Sequence, residues 1–129
     1  MIKVSYHNIR AHFQRHKHLD YVIIFGSAVK QLKADSDIDL LVAGPFSPTQ
    51  KTAAAMALEE QIGRKIDIIH IKEAGVDLAL EAFAKGKLLV LNNMNRLKQD
   101  YFQKRREDED NIPLRRIRAA KLRRELARG

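Results

Sequence analysis

The sequence predicts an α/β fold: a mixed β-sheet of about four strands flanked by helices, with a basic helical tail behind it. Three observations carry that prediction. Short apolar, β-branched runs recur as "YVIIFG", "DIDLLVAG", "KIDIIHI" and "KLLVL". Segments with apolar residues at helical spacing lie before and between them. Beyond Asn93 the texture becomes mostly charge. A chain of 129 residues suffices for one domain with a real core plus an appendage.

Taken in order, "SYHNIRAHFQRHKH" sets Tyr6, Ile9 and Phe13 on one stripe of an amphipathic helix. "YVIIFG" reads as a buried strand ended by glycine. In "SAVKQLK", Ser27 can cap a short helix. "DIDLLVAG" is a second strand, closed by Gly44-Pro45. Ser47 and Pro48 supply the N-cap and first-turn proline of a helix reaching about Ile62, with Gly63 as its stop and Ala55, Leu58 and Ile62 facing inward. "KIDIIHI" is a third strand. In "AGVDLALEAFAKG" the stripe is Val76, Leu80 and Phe83, and Gly86 fits the position just past the helix end. "KLLVL" is the fourth strand. Met94, Leu97 and Tyr101 begin a last helical stripe, and Pro113 permits a new helix start before "LRRIRAAKLRRELAR". The apolar residues of that last segment gather on no narrow face, so a weakly docked or mobile helix that orders on a partner is expected. The division expected is 1–93 as catalytic body and 94–129 as charged extension.

Composition narrows the function classes. Hydrophobic residues make up 45% and charged residues 31%, a globular balance, and no apolar run approaches the roughly 20 residues of a membrane span. "MIKVSYHNIR" lacks the apolar core of a secretory signal. There are no cysteines, which excludes disulfides and thiolate metal sites. A cytoplasmic location is expected. The net charge of +8 is uneven: residues 1–93 hold 12 Lys/Arg against 10 Asp/Glu, residues 94–129 hold 12 against 6. The extension is therefore suited to an acidic partner, although a solvated helical face would look the same. Four histidines cluster near the N-terminus (7, 12, 16, 18) with no carboxylate at ligand spacing, so a surface helix is expected there rather than a zinc site. His70, opposite Asp67 by alternation, reads as structural.

The chemistry lies in "IIFGSAVKQLKADSDIDLLV", residues 23–42. Alternation along a strand puts Asp37 and Asp39 on one face while Ile38 and Leu40 enter the core. Two adjacent carboxylates on a rigid strand repel and need a compensating charge. Magnesium suits hard oxygen ligands and keeps water positions for phosphate oxygens. Asp67, inside the isoleucine run of the third strand, adds a third carboxylate, and three aspartates can hold the two ions of an in-line displacement at phosphorus. Gly26 lets backbone approach a ligand closely, and Ser27 opens a helix N-terminus with a hydroxyl to donate, a geometry that binds phosphate.

Gly26-Ser27, Asp37-Ile38-Asp39 and Asp67, each on its expected element, resemble the nucleotidyltransferase superfamily that includes DNA polymerase β. The small size and the ending "AFAKGKLLVL" are similar to its minimal (MNT) branch, over roughly residues 5–93. That resemblance implies the small nucleotidyltransferase fold, with Asp37, Asp39 and Asp67 as metal ligands and catalytic residues and Gly26, Ser27 and Lys30 at the nucleotide. It implies two Mg2+ ions, ATP as substrate and transfer of AMP. It also implies an antitoxin's partnership with a HEPN-type toxin, whose tyrosine would be the acceptor. The sequence departs from the family pattern in two places. The spacer from Ser27 to Asp37 is nine residues where ten is usual, and Ala28 stands where many relatives carry arginine; Lys30 or Lys33 can supply that charge. Two alternatives stay open. One is a transferase acting on a small molecule of aminoglycoside type; the other is a catalytically weak module that binds a protein or grips RNA through its tail.

Overall fold

The computed structural model describes residues 6–26 and 37–128, with side chains for 6–26, 37–110, 124 and 126. Within them lie α1 (Tyr6–Gln14), β1 (Tyr21–Phe25), β2 (Ile38–Ala43), α2 (Pro48–Ile62), β3 (Ile66–His70), α3 (Val76–Lys85), β4 (Lys87–Leu91) and α4 (Met94–Arg128). The short helix expected at Ser27 falls outside the described residues.

The strands form one mixed sheet in the order β3-β2-β1-β4. β1 is antiparallel to both neighbours, β2 and β4, whereas β2 and β3 run parallel. A parallel pair cannot be joined by a tight turn, and α2 supplies the crossover. All five residues of β1 are buried, which is why "YVIIF" shows no polar alternation: both faces of the sheet are covered. On one face Ile9 and Phe13 of α1 and Ala54 and Leu58 of α2 pack against Val22, Ile24, Ile38, Leu40 and Val42. On the other, Ala79 and Ala82 of α3 meet Tyr21, Ile23, Phe25, Leu41 and Ala43.

Helix ends follow local chemistry. Ser47 and Gln50 form a capping box: the Gln50 amide donates to Ser47 Oγ (3.1 Å) and the Ser47 amide to Gln50 Oε1 (2.8 Å). Gly63 closes α2 at φ +76°, its amide donating to Glu59 O at 2.8 Å.

Three sequence expectations shift. The inward face of α3 is Ala79 and Ala82, with Leu78 and Phe83 beside them, rather than the Val76–Leu80–Phe83 stripe. Small side chains let this helix lie close to the sheet, a preference for size that apolar spacing alone does not express. Gly86 does end α3, but at φ −76°, so no left-handed turn requires it. Space does: a Cβ there would run into Ala82 O and stand 2.6 Å from Ile23 Cγ2. Finally, Pro113 starts no new helix. α4 is continuous over 35 residues, so the strong helix formers around Pro113 outweigh its missing amide hydrogen.

The first turns of α4 are fastened to the body. The Tyr21 hydroxyl donates to the buried Asp100 carboxylate at 2.8 Å, Arg96 Nε lies 3.2 Å from the other oxygen, and Lys104 Nζ donates to Ala74 O at 3.0 Å. Burial, then the bond to Asp100, pushes the Tyr21 hydroxyl pKa far up, so it stays a donor. Among the described residues no helix is long and apolar enough to cross a membrane.

Candidate active site

The site is built where β1 ends and β2 and β3 begin. Two hydrogen bonds hold that end in register: the Ile38 amide donates to Lys65 O at 2.9 Å, and the Ile66 amide to Glu59 Oε1 at 3.0 Å. Antiparallel pairing then sets Asp39 opposite Phe25, the last residue of β1. Parallel pairing sets Asp39 directly beside Asp67. Adjacent strands lie about 4.8 Å apart, so two carboxylates from different segments stand side by side on one face of the sheet. Asp37 precedes them by two residues and is exposed, as is Asp67; Asp39 is half-buried.

Gly26 follows Phe25 at φ +84°, where side chains are strained, and a Cβ on it would stand 2.5 Å from Asp39 Oδ2. Conformation and space both require glycine, and the backbone of Gly26 thus lies against the Asp39 carboxylate. Ser27 and Lys30, expected at the nucleotide, lie outside the described residues, as do Ala28 and Lys33.

Electrostatics mark the place. Burial first, then the charges of Asp67, Asp37 and Glu81, raise the Asp39 carboxyl above its ordinary range. Glu81, in the middle of α3, is a further charge acting on Asp39 that the sequence pattern does not single out. It is one position from the buried Ala82, and the packing of α3 across the sheet brings its charge within range of Asp39; no local pattern in "LALEAFAKG" could say so. Among the described residues no three Asp, Glu or His side chains converge as a finished metal cage. The donor set nevertheless fits a hard divalent ion: all oxygen, anionic and partly solvated.

The histidines do other work. His12, His16 and His18 stack on one another and, with His16, against Phe13 and Phe46. Burial lowers the pKa of His12 and His16, and their histidine neighbours add to it. His70 Nε2 donates to Gly44 O at 2.7 Å while Nδ1 accepts the Lys72 amide at 3.1 Å, an assignment of the neutral tautomer that follows from the partners. It pins the far end of β3. A cleft of about 480 Å³ opens at that far end beside Lys51, Lys72 and Arg96. Two of its cations are already paired, Lys51 with Glu73 and Arg96 with Asp100, both at 3.2 Å. It shares no residue with the aspartates.

Glycine against a carboxylate, two strand aspartates in register and a third two residues upstream make an arrangement suited to nucleotide phosphates and metal. The family model for "Polymerase beta, Nucleotidyltransferase" matches residues 7–95, most of the chain and every strand described. The chain belongs to this nucleotidyltransferase family. Three solved structures show how its fold compares. A toxin–antitoxin complex with AMP-PNP aligns with TM-score 0.77 at 17% identity, covering 92% of this nucleotidyltransferase and 98% of that chain. A tri-AMPylated Shewanella oneidensis HEPN toxin in complex with its MNT antitoxin aligns at 0.68 and 15%, with the same coverage. A toxin–antitoxin MntA–HepT complex aligns at 0.72 and 15%, covering 91% and 95%. At such identities the likeness is one of fold, that of the MNT nucleotidyltransferases. No curated protein matches this nucleotidyltransferase in sequence.

Proposed function

We propose that this nucleotidyltransferase transfers AMP from ATP, with Mg2+, to a tyrosine hydroxyl of a HEPN-type partner, and so acts as the antitoxin of a pair. The observation that carries the reading is the register pairing of Asp39 with Asp67 beside Gly26. The fold shared with antitoxins solved alongside HEPN toxins, one of them AMPylated, supports the choice of acceptor and nucleotide.

Asp37, Asp39 and Asp67 would hold magnesium, up to two ions, which when bound neutralises phosphate charge and favours departure of pyrophosphate. The residues of the chain do the rest. Gly26 keeps the space beside Asp39 clear of side chain, and the backbone after it, with Ser27 and Lys30, receives the phosphates. Asp67, exposed at the rim, accepts the proton of the attacking hydroxyl. The new bond forms between the tyrosine oxygen and the α-phosphorus, and the bond from that phosphorus to the β-phosphate oxygen breaks. Glu81 adds negative potential on the α3 side of Asp39 and so strengthens the demand for a cation. Residues 1–93 form the catalytic unit in this reading, and 94–129 an extension that serves the partner in the cytoplasm.

The test is intact mass spectrometry of the HEPN partner after incubation with ATP, Mg2+ and this chain. An adenylyl increment that disappears with Asp39→Asn and with a Tyr→Phe change at the acceptor is the expected result. An increment on a small-molecule acceptor only, or none on any acceptor, contradicts it.

A further inference from the structure

Between α3, β4 and α4 runs a groove of about 330 Å³, floored by Ile23 and walled by Phe83, Leu97 and Tyr101. Its lips are apolar and exposed: Leu88 is 39% accessible and Phe102 61%, with Met94 at 47% at the start of α4. Phe83, Tyr101 and Phe102 stack edge to face in sequence, at centroid distances of 5.8 and 5.5 Å. This much uncovered apolar and aromatic surface in one place marks an interaction site.

The surroundings of the groove select its occupant. Lys98 lines it, and Lys98 and Arg106 line the adjoining hollow on the other side of Phe102; no carboxylate lines either among the described residues. In a chain of net charge +8, a second copy would bring cationic lip against cationic lip. Strand addition along β4 is obstructed as well, because Arg10 Nε donates to the Leu89 carbonyl at 3.0 Å. A helix needs no backbone partner and presents an apolar stripe at the width of such a groove. We infer that this groove docks an amphipathic helix of a partner protein, apolar along one stripe and acidic on its flanks.

The inference rests on the pairing proposed above and names the surface that the pairing uses. Groove and carboxylates share a face of the sheet. Ile23 is two residues from Phe25, the cross-strand neighbour of Asp39, about 7 Å along β1. A partner seated here therefore holds the residues next to its docked helix on the face where Asp39 and Asp67 stand.

The test measures binding of a candidate HEPN-domain partner by calorimetry. Wild type is compared with Phe102→Glu, Leu88→Glu and Lys98→Glu, and with Met56→Glu, a 64% exposed site on α2 across the sheet, as control. The first three should each raise Kd by about tenfold or more and Met56→Glu by less than about twofold, with unchanged melting curves. Lys98→Glu touches only an exposed side chain and keeps the test valid if an apolar-to-charged change disturbs folding. Full affinity in all three variants overturns the docking site and leaves the pairing intact. A wild-type homodimer that Phe102→Glu dissociates also overturns it, since a second copy then fills the groove. No binding by wild type overturns the pairing, and the docking with it.

Discussion

At the scale of single residues the account depends on Asp39 and what surrounds it. Its carboxyl pKa is raised, by burial first and by Asp67, Asp37 and Glu81 after. The folded chain therefore holds that proton to higher pH than the unfolded chain. Stability conferred by the neutral form is lost as pH rises from the ordinary carboxylate value through the raised one. Without divalent metal, Asp39→Asn should melt above wild type at about pH 7, and the difference should close under acidic conditions where both states are protonated. Mg2+ with a nucleotide should raise the melting temperature of wild type only. Thermal scans across pH check all three. Gly26→Ala should cost about 1–3 kcal/mol in urea unfolding and abolish nucleotide binding, because it combines a positive φ with a Cβ on Asp39. Tyr21→Phe, which takes a donor from buried Asp100, should cost about 1–3 kcal/mol by the same measurement without touching transfer.

At the scale of elements, what the sequence made readable was whatever depends on near neighbours. The four strands stood out because β-branched runs end at glycine or polar residues, and α2 because Ser47, Pro48 and Gly63 mark both its ends. Asp37 and Asp39 could be picked out as candidates because alternation sets them on one face of an apolar strand, and Asp67 because a carboxylate inside an isoleucine run has no packing reason to be there. What could not be read depends on contacts between distant segments. That Asp39 lies beside Asp67, and not one strand away, follows from the strand order. That the charge of Glu81 reaches Asp39, that Asp100 is buried under Tyr21, and that Gly86 is required by Ile23 all follow from how α3 and α4 cross the sheet. The continuity of α4 through Pro113 is a sum over many propensities against one strong breaker, and a reading that stops at the breaker misses it. An element-scale prediction is Ser47→Ala: loss of the capping box should cost about 1 kcal/mol of stability and leave nucleotide binding unchanged.

On the scale of the whole molecule, the described residues form a mixed sheet with α1, α2 and α3 upon it, which offers an anionic site at one end of the sheet, a cationic-lipped groove on the same face, and the long helix α4 beyond. The anchors of α4, Asp100 and Lys104, precede its basic second half. Removing residues 111–129 should therefore shift the melting temperature by less than about 4 °C. The same deletion should weaken partner binding and flatten its salt dependence, which calorimetry at two ionic strengths would show. The most direct test of the central claim compares ATP labelled at the α-phosphate with ATP labelled at the γ-phosphate, with Mg2+ and the HEPN partner, for wild type and Asp37→Ala/Asp39→Ala. The account predicts label on the partner from α-labelled ATP alone, and none with the double variant. Label from the γ-position, or tight partner binding with no label from either, would contradict it.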